Sequence, residues 1–347
     1  MNQTSLNMNY EPEVIVDTDT LSREDWLSYR KLGIGGSDVA AIMGISPFAT
    51  IRDLYNDKLG IEPLIEEESN WVAKEVGHRL EDLVAEIFSK KTGLTVFPVR
   101  KMFRHPLYPF MVADVDFFII FPDGSYGILE CKTCNYNART KWEDGGIPEH
   151  YVLQVRHYLS VMNMDKAYIA CLYGNNENEF VIRPIDRDVM EEEEIISQEE
   201  YFWKEYVEKQ AEPPFNGKPD LILASIRKYG GYADKDLPEI EISTLNSIDL
   251  EKYLTLSEEK SQLEKRKKEI EALQRELSVP FVEQLGASCK AVLSDGVSRY
   301  RITYNPTRRT QVGKDAMEKL KIQHPDIFEE YTKTTESRTF RVKKEAA

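Results

Sequence analysis

The chain has 347 residues, 41% of them hydrophobic, and a formal charge of −15; this is enough apolar content for a sizeable core in one large or two modest domains. A bilayer-spanning helix is excluded, because it needs about 20 apolar residues and the most apolar stretch, Phe110 to Phe121, is interrupted by Asp114 and Asp116. The N-terminal stretch has neither a basic patch nor an apolar run, so no secretory or transit signal is readable and a cytoplasmic location is expected.

Residues 1–21 are polar and are expected to be mobile. Ser22 has the chemistry of an N-cap for a first helix, and KLGIGGSDVAAIMG reads as a glycine turn feeding a helix that starts at Ser37 or Asp38. Leu80, Leu83, Val84, Ile87 and Phe88 share one face of a helix over 71–92, closed by Gly93. Strand-like apolar runs follow at 95–103, 110–121 and 126–133, then a helix at 149–163, a strand at 166–173 and an acidic helix at 187–210. The proline and glycine density of EPPFNGKPD marks a domain edge. A mixed α/β domain is therefore assigned to 22–212, a linker to 213–248 and a C-terminal extension to 249–347. In the extension a long helix is expected over 249–285, strands at 289–294 and 299–304, a helix at 313–322 and a last strand at 338–342. Leu256, Leu263, Ile270 and Leu277 recur at sevens, but the positions three residues earlier are Tyr253, Lys260, Lys267 and Gln274. Only half of a heptad seam is present, which favours an exposed helix lying against something else over a coiled coil.

The four cysteines, Cys131, Cys134, Cys171 and Cys289, are too few and too scattered for a disulfide scaffold. Cys131-x-x-Cys134 resembles half a zinc site, but no second pair follows at zinc-ribbon spacing. The negative charge argues against a nucleic-acid surface. Its distribution answers this in part: acid concentrates in Glu191 to Glu212 and near the N-terminus, whereas Arg299, Arg301, Arg308, Arg309, Arg338, Arg341, Lys343 and Lys344 crowd the C-terminal end.

The segment VADVDFFIIFPDGSYGILECKT carries the chemistry. Pro122-Asp123-Gly124 between two apolar runs predicts a β-hairpin, and pairing centred on Asp123 puts Asp116 opposite Glu130, each seven residues away. Directly opposed Cβ atoms lie about 4.5–5.5 Å apart, where like charges destabilise unless a cation neutralises them. Lys132 points to the same face as Glu130, and Leu129 and Cys131 to the other. Phe117, Phe118, Ile119, Ile120, Ile128 and Leu129 imply burial, and a buried carboxylate without a partner is costly. Hard carboxylate oxygens suit Mg²⁺ or Mn²⁺. An ammonium beside them suits orienting water and stabilising a phosphorane-like transition state. Taken alone, the short pattern leaves a solvated surface hairpin open.

Five segments in order, spanning residues 22–205, resemble the lambda-exonuclease or YqaJ-type viral recombinase family, a branch of the PD-(D/E)xK nucleases. They are Arg30-x-x-Gly33-Ile-Gly-Gly-Ser37-Asp38, Gly77-x-x-x-Glu81, Asp116, Glu130-Cys-Lys132 and Tyr151-x-x-Gln154-x-x-x-Tyr158. The resemblance implies a restriction-endonuclease-like α/β core, with a central mixed β-sheet flanked by helices, plus a C-terminal helical and small β extension. It implies that Asp116, Glu130 and the backbone carbonyl of Cys131 hold metal, that Glu81 completes a site for two Mg²⁺ (or Mn²⁺) ions, and that Lys132 assists the water. Gln154 joins the active site, with Tyr151 and Tyr158 on the same side of its helix, and His78 stands where some relatives place a ligand. Arg30 and Ser37 become the site for the 5′-phosphate of a DNA end. Some relatives carry an acid about ten residues before the central Asp; Pro106 stands there, which leaves a substitute role for Asp114 open. The basic run from Glu336 to Lys343 resembles the tail of some YqaJ-type proteins.

The implied protein is a Mg²⁺-dependent 5′-3′ exonuclease of linear double-stranded DNA, cytoplasmic in a bacterium or infected host cell, and by family habit a homotrimer. It would act at DNA ends and leave 3′ single strands for a phage single-strand annealing protein, or for a single-strand binding protein, in recombination. Two alternatives stay open: an endonuclease on the same core, and a non-catalytic DNA-binding or assembly protein of a recombination complex.

Overall fold

The computed structural model describes residues 9–65, 71–231, 233, 234, 236–242, 247–332 and 340. The chain divides into two compact units, Met1–Ala233 and Asp234–Ala347. In the first, β1 (Glu13–Asp17) and α1 (Arg23–Lys31) precede a 3₁₀ turn at Gly36–Asp38, which runs into α2 (Val39–Ile42). Then come α3 (Ile51–Leu59), α4 (Trp71–Thr92), β2 (Thr95–Phe97), β3 (Lys101–Arg104), β4 (Val112–Asp114), β5 (Phe117–Ile120) and β6 (Tyr126–Thr133). The unit closes with α5 (Glu149–Met162), β7 (Lys166–Leu172), β8 (Phe180–Asp186), α6 (Val189–Tyr201), a π-type turn at Phe202–Val207 and α7 (Pro219–Gly230). Ser22 caps α1 as expected, its hydroxyl accepting the Asp25 N–H at 3.1 Å.

Five strands form the central sheet in the order β2-β5-β6-β7-β8, antiparallel except for the pair β6/β7. That parallel pair requires a crossover, and α5 supplies it. Residues alternate along the strands and sort the two faces. Phe117, Ile119, Leu129 and Cys131 pack with Val84, Ile87 and Phe88 of α4. Phe118, Ile128, Ile169 and Cys171 pack with Val155 and Leu159 of α5 on the other face. Each fully buried large side chain, such as Phe88, Leu129 or Leu159, is worth about 1.5–3 kcal/mol. The expected mixed sheet flanked by helices is thus the observed architecture, and the hairpin register, Phe117↔Leu129 through Ile120↔Tyr126, is centred on Asp123 as the sequence implied.

Several expectations need correction. Glu13–Asp17, read as part of a mobile leader, pairs with β3 in a separate three-stranded antiparallel sheet β1-β3-β4; the alternation in EVIVD is too short to have signalled this. Leu83 is 41% exposed, and the buried face of α4 runs through Val84, Ala85, Ile87 and Phe88. The stretch 213–231 is no linker. The Asn216 amide donates to the carbonyls of Ala41 and Ile42 at 3.2 and 2.8 Å, Arg52 donates to the Pro213 carbonyl at 2.7 Å, and Leu64 and Ile65 donate to the Lys228 carbonyl. Asn216 thereby supplies a donor to the Ile42 carbonyl at the end of the four-residue α2 and a second one to Ala41, which also accepts the Gly44 N–H.

In the second unit α8 (Ser247–Leu285) precedes the antiparallel hairpin β9 (Lys290–Ser294) and β10 (Arg299–Thr303), then α9 (Lys314–Gln323) and α10 (Pro325–Tyr331). Leu256, Leu263, Ile270 and Leu277 are all exposed, so nothing among the described residues completes the half seam. The strand expected at 338–342 and the basic run from Glu336 to Lys343 lie outside the described residues, Phe340 apart. Among the described residues no helix is long and apolar enough to cross a membrane.

The glycine run before Ser37 serves close approach as much as turning. A Cβ at Gly36 would lie 2.7 Å from Tyr158 Cε1 and 2.8 Å from the Gln154 carbonyl oxygen, so the 3₁₀ turn rests directly on α5. Gly36→Ala is expected to cost about 1–3 kcal/mol, read as a lower thermal midpoint. A midpoint equal to wild type would show that the turn does not depend on this contact.

Candidate active site

β4 belongs to the three-stranded sheet and β5 to the five-stranded one, so Val115 and Asp116 lie where the chain changes sheets. Pairing of β5 with β6 stops at Phe117↔Leu129, and the remaining residues of β6 pair only with β7. On the edge thus freed, the Cys131 N–H donates to Asp116 Oδ2 at 2.8 Å. Glu130 lies on the α5 side and is only 2% exposed. Its Oε1 accepts from Lys132 Nζ at 2.5 Å and from Gln154 Nε2 at 2.7 Å, while Oε2, equally buried, has no hydrogen-bond partner. Gln154 also donates to the Tyr158 hydroxyl at 3.3 Å, and the Lys132 ammonium sits 5.0 Å from the centre of the Tyr151 ring.

A cleft of about 920 Å³ is lined by Arg30, Ser37, His78, Glu81, Asp114, Asp116, Glu130, Cys131, Lys132, Gln154 and Tyr158. The structure therefore brings to one cleft every candidate site residue read from the sequence except Tyr151, which backs Lys132. His78 is largely exposed and stands with Nδ1 3.6 Å from Glu81 Oε2, facing the helix acid and not the hairpin. Asp114 accepts the Trp26 indole N–H at 2.7 Å. Two carboxylates and an orphaned buried oxygen suit a hard divalent cation. Among the described residues no three His, Cys, Asp or Glu side chains converge closely enough to enclose one. That donor set fits Mg²⁺, which is held by one or two carboxylates while water and substrate phosphate complete its shell.

At the other end of the cleft Arg30 Nη2 donates to Ser37 Oγ at 2.9 Å and to Asp38 Oδ1 at 3.2 Å. Asp38 Oδ2 accepts from Lys58 Nζ at 2.8 Å and from the Gly35 N–H at 3.0 Å. Burial pushes the Asp38 carboxyl up, but Lys58 and then Arg30 outweigh it and hold the group below the usual carboxylate range. Asp38 is thus shared between two cations, and Lys58 also stands 3.9 Å from Asp57 Oδ2. Sequence reasoning did not find Lys58, whose side chain is 1% exposed. A buried lysine 20 residues from its partner leaves no local pattern.

A YqaJ-like viral recombinase domain matches residues 25–165, a span that contains every site residue described above. The "uncharacterized protein YqaJ" of Bacillus subtilis (strain 168) is 32% identical over 333 residues, covering 95% of this chain and 97% of that one. The chain belongs to the YqaJ family. Among solved structures it is similar to an alkaline exonuclease (LHK-Exo) from Laribacter hongkongensis, with 20% identity over 55% of this chain and 94% of that one and a TM-score of 0.45. It is also similar to a phage related exonuclease from Haemophilus somnus 129PT, with 14% identity over 53% of this chain and 99% of that one and a TM-score of 0.38.

In this YqaJ-family cleft, acids outnumber cations around the hairpin. Burial, then the Glu130 charge, pushes Asp116 up to about 7. Burial, then Asp116, pushes Glu81 up to about 7 against the pull of His78, Arg100 and Lys132. Burial raises Glu130 as well, with Lys132 opposing. Lys132 loses some proton affinity to burial but is held above its ordinary range by Glu130 and Asp116. In the unfolded chain these carboxylates titrate near 4, so between about 4 and 7 the folded state binds more protons. Stability therefore falls as pH rises through that window and carries the whole penalty above it. Without divalent cations, Asp116→Asn is expected to be more stable than wild type by about 1–3 kcal/mol at about pH 8, with the difference vanishing near pH 4. Denaturant unfolding at both pH values measures it, and a less stable Asn variant at the higher pH would refute the electrostatic strain.

Proposed function

We propose that this protein is a divalent-metal-dependent nuclease that degrades linear double-stranded DNA from the 5′ end, leaving 3′ single strands for recombination by strand annealing. The observation that carries this reading is Glu130, held through one oxygen by Lys132 and Gln154 with its second buried oxygen unpartnered beside Asp116. Membership of the YqaJ-like viral recombinase family supports it.

Asp116, Glu130 and the Cys131 carbonyl would hold Mg²⁺ or Mn²⁺, and Glu81 would complete a second position. Cys131 donates its N–H to Asp116, and in an extended strand a residue's C=O points to the same edge as its N–H. Bound cations supply a more acidic water and neutralise charge on the entering and leaving oxygens. Gln154 keeps Glu130 aimed by occupying Oε1. Lys132 stays protonated and donates to water or to a phosphate oxygen once it leaves Glu130, with Tyr151 stacked against its ammonium. Arg30 and Ser37 would receive the terminal 5′-phosphate, and Asp38, itself neutralised by Lys58, fixes the guanidinium without cancelling its charge. A homotrimer around DNA, a single-strand annealing or single-strand binding protein as partner, and a cytoplasmic site of action complete the proposal by resemblance.

Linear and closed circular duplexes incubated with Mg²⁺, and with chelator in its place, test the reading. Linear DNA is expected to be lost only with the metal. Asp116→Ala, Glu130→Ala and Lys132→Ala should each cut the rate at least about 100-fold while remaining folded. Intact linear DNA in the wild type overturns the enzyme, whereas nicked circles replace the exonuclease with an endonuclease. Arg30→Ala is expected to erase the preference for 5′-phosphorylated over 5′-hydroxyl ends, scored by competition between the two substrates. A retained preference removes Arg30 from end recognition.

A further inference from the structure

The Cys131-x-x-Cys134 pair resolves into a different partnership from the one its spacing suggests. Alternation along β6 sends Cys131 to the α4 side. Cys134, one residue beyond the strand, meets Cys171 of β7 on the α5 side, with the two sulfurs 3.5 Å apart. Both are thiols; Cys171 is fully buried and Cys134 half-buried. Cys134 therefore faces reagents while Cys171 waits behind it.

The pair continues the row of the candidate active site. Glu130 and Lys132 alternate along β6, Cys134 follows two residues after Lys132 just past the strand's end, and Lys132 stands in register with Cys171 on β7. The Tyr151 ring that backs Lys132 packs in the same apolar cluster as both cysteines.

We propose that Cys134 and Cys171 form a thiol–disulfide modification site, oxidised by hydrogen peroxide, whose disulfide state displaces Lys132 and silences the cleft. The silencing half rests on the nuclease reading above; the disulfide half does not. The S–H of Cys171 donates to Cys134 and, with Trp142 and Lys141 adding to it against burial, lowers the Cys134 thiol to about 7. The nucleophilic thiolate is therefore present near neutral pH. It attacks one peroxide oxygen, the O–O bond breaks, and the departing hydroxide takes up the proton released by the thiol. This leaves a sulfenic acid on Cys134 and one water. The Cys171 sulfur then attacks the Cys134 sulfur, the S–O bond breaks, and the hydroxyl leaves as a second water with the Cys171 proton. Two electrons pass from the sulfurs to the peroxide. Closing 3.5 Å to the roughly 2 Å of a disulfide must shift the side chains of Cys134 and Cys171, and Cys171 stands in register with Lys132. A misplacement of about 1 Å costs a catalytic geometry on the order of 100-fold.

The test compares wild type, Cys134→Ser and Cys171→Ala, each with millimolar peroxide, and follows them by peptide mass mapping after alkylation and by cleavage of linear DNA with Mg²⁺. The wild type is expected to yield a linked Cys134–Cys171 peptide two hydrogens lighter than its separate parts. Its cleavage rate should fall at least tenfold and return with dithiothreitol. Cys134→Ser should cleave DNA, form no link and ignore peroxide; Cys171→Ala should halt at an oxidised Cys134 and repeats the test if the serine variant fails to fold. No linked peptide in peroxide-treated wild type overturns the site. A linked peptide with unchanged cleavage overturns the switch. If untreated wild type cleaves nothing, the nuclease reading fails and the switch falls with it, while the linked peptide still decides the modification site.

Discussion

Glu130 is 2% exposed and held through one oxygen only. A carboxylate in that position is unfavourable in a folded protein unless it is protonated, paired or bound to a cation. Lys132 pairs with it and Gln154 orients it, yet Asp116 and Glu81 add two further acids to the same cleft. The hairpin has thus accumulated more negative charge than its single lysine balances. Hydrophobic packing of both sheet faces, α4 on one and α5 on the other, supplies the stability against which this excess is maintained.

Around Ser37 the acid is paired with cations. Arg30 and Lys58 share Asp38, and the 3₁₀ turn that carries Ser37 is pressed onto α5 at Gly36. A net charge of −15 therefore says little about this site, because Arg30 and Lys132 both line the cleft beside its acids. Some of the acid that makes up the total is internal. Glu192 pairs with Arg187, and Glu199 with His157, inside the first unit.

The hairpin was legible because its turn is marked by Pro122-Asp123-Gly124 and a period of two is insensitive to anything outside it. Asp116 and Glu130 could be placed by counting. Gln154, Glu81 and Arg30 were reachable only through the family resemblance, since each lies on a helix where a polar residue at the edge of a buried face has no distinctive spacing. Lys58, Trp26 and the Cys134–Cys171 contact were illegible, because their partners lie 20, 88 and 37 residues away. The same holds for 213–231: prolines and glycines read as a linker, but Asn216 and Arg52 anchor the segment through side-chain contacts that composition does not encode.

The crossover through α5 also orders events during folding. β5 and β6 are joined by a tight turn and can meet early, whereas β6 and β7 can pair only after α5 has crossed between them. Gln154 rides on that crossover, and a contact as remote as Tyr10 with Ser160 fastens the leader strand's end to the same helix. Until the helix docks, Glu130 remains hydrated and its charge is harmless. The dehydration penalty of Glu130 is thus tied to a contact made 24 residues away in the chain and not to the local hairpin.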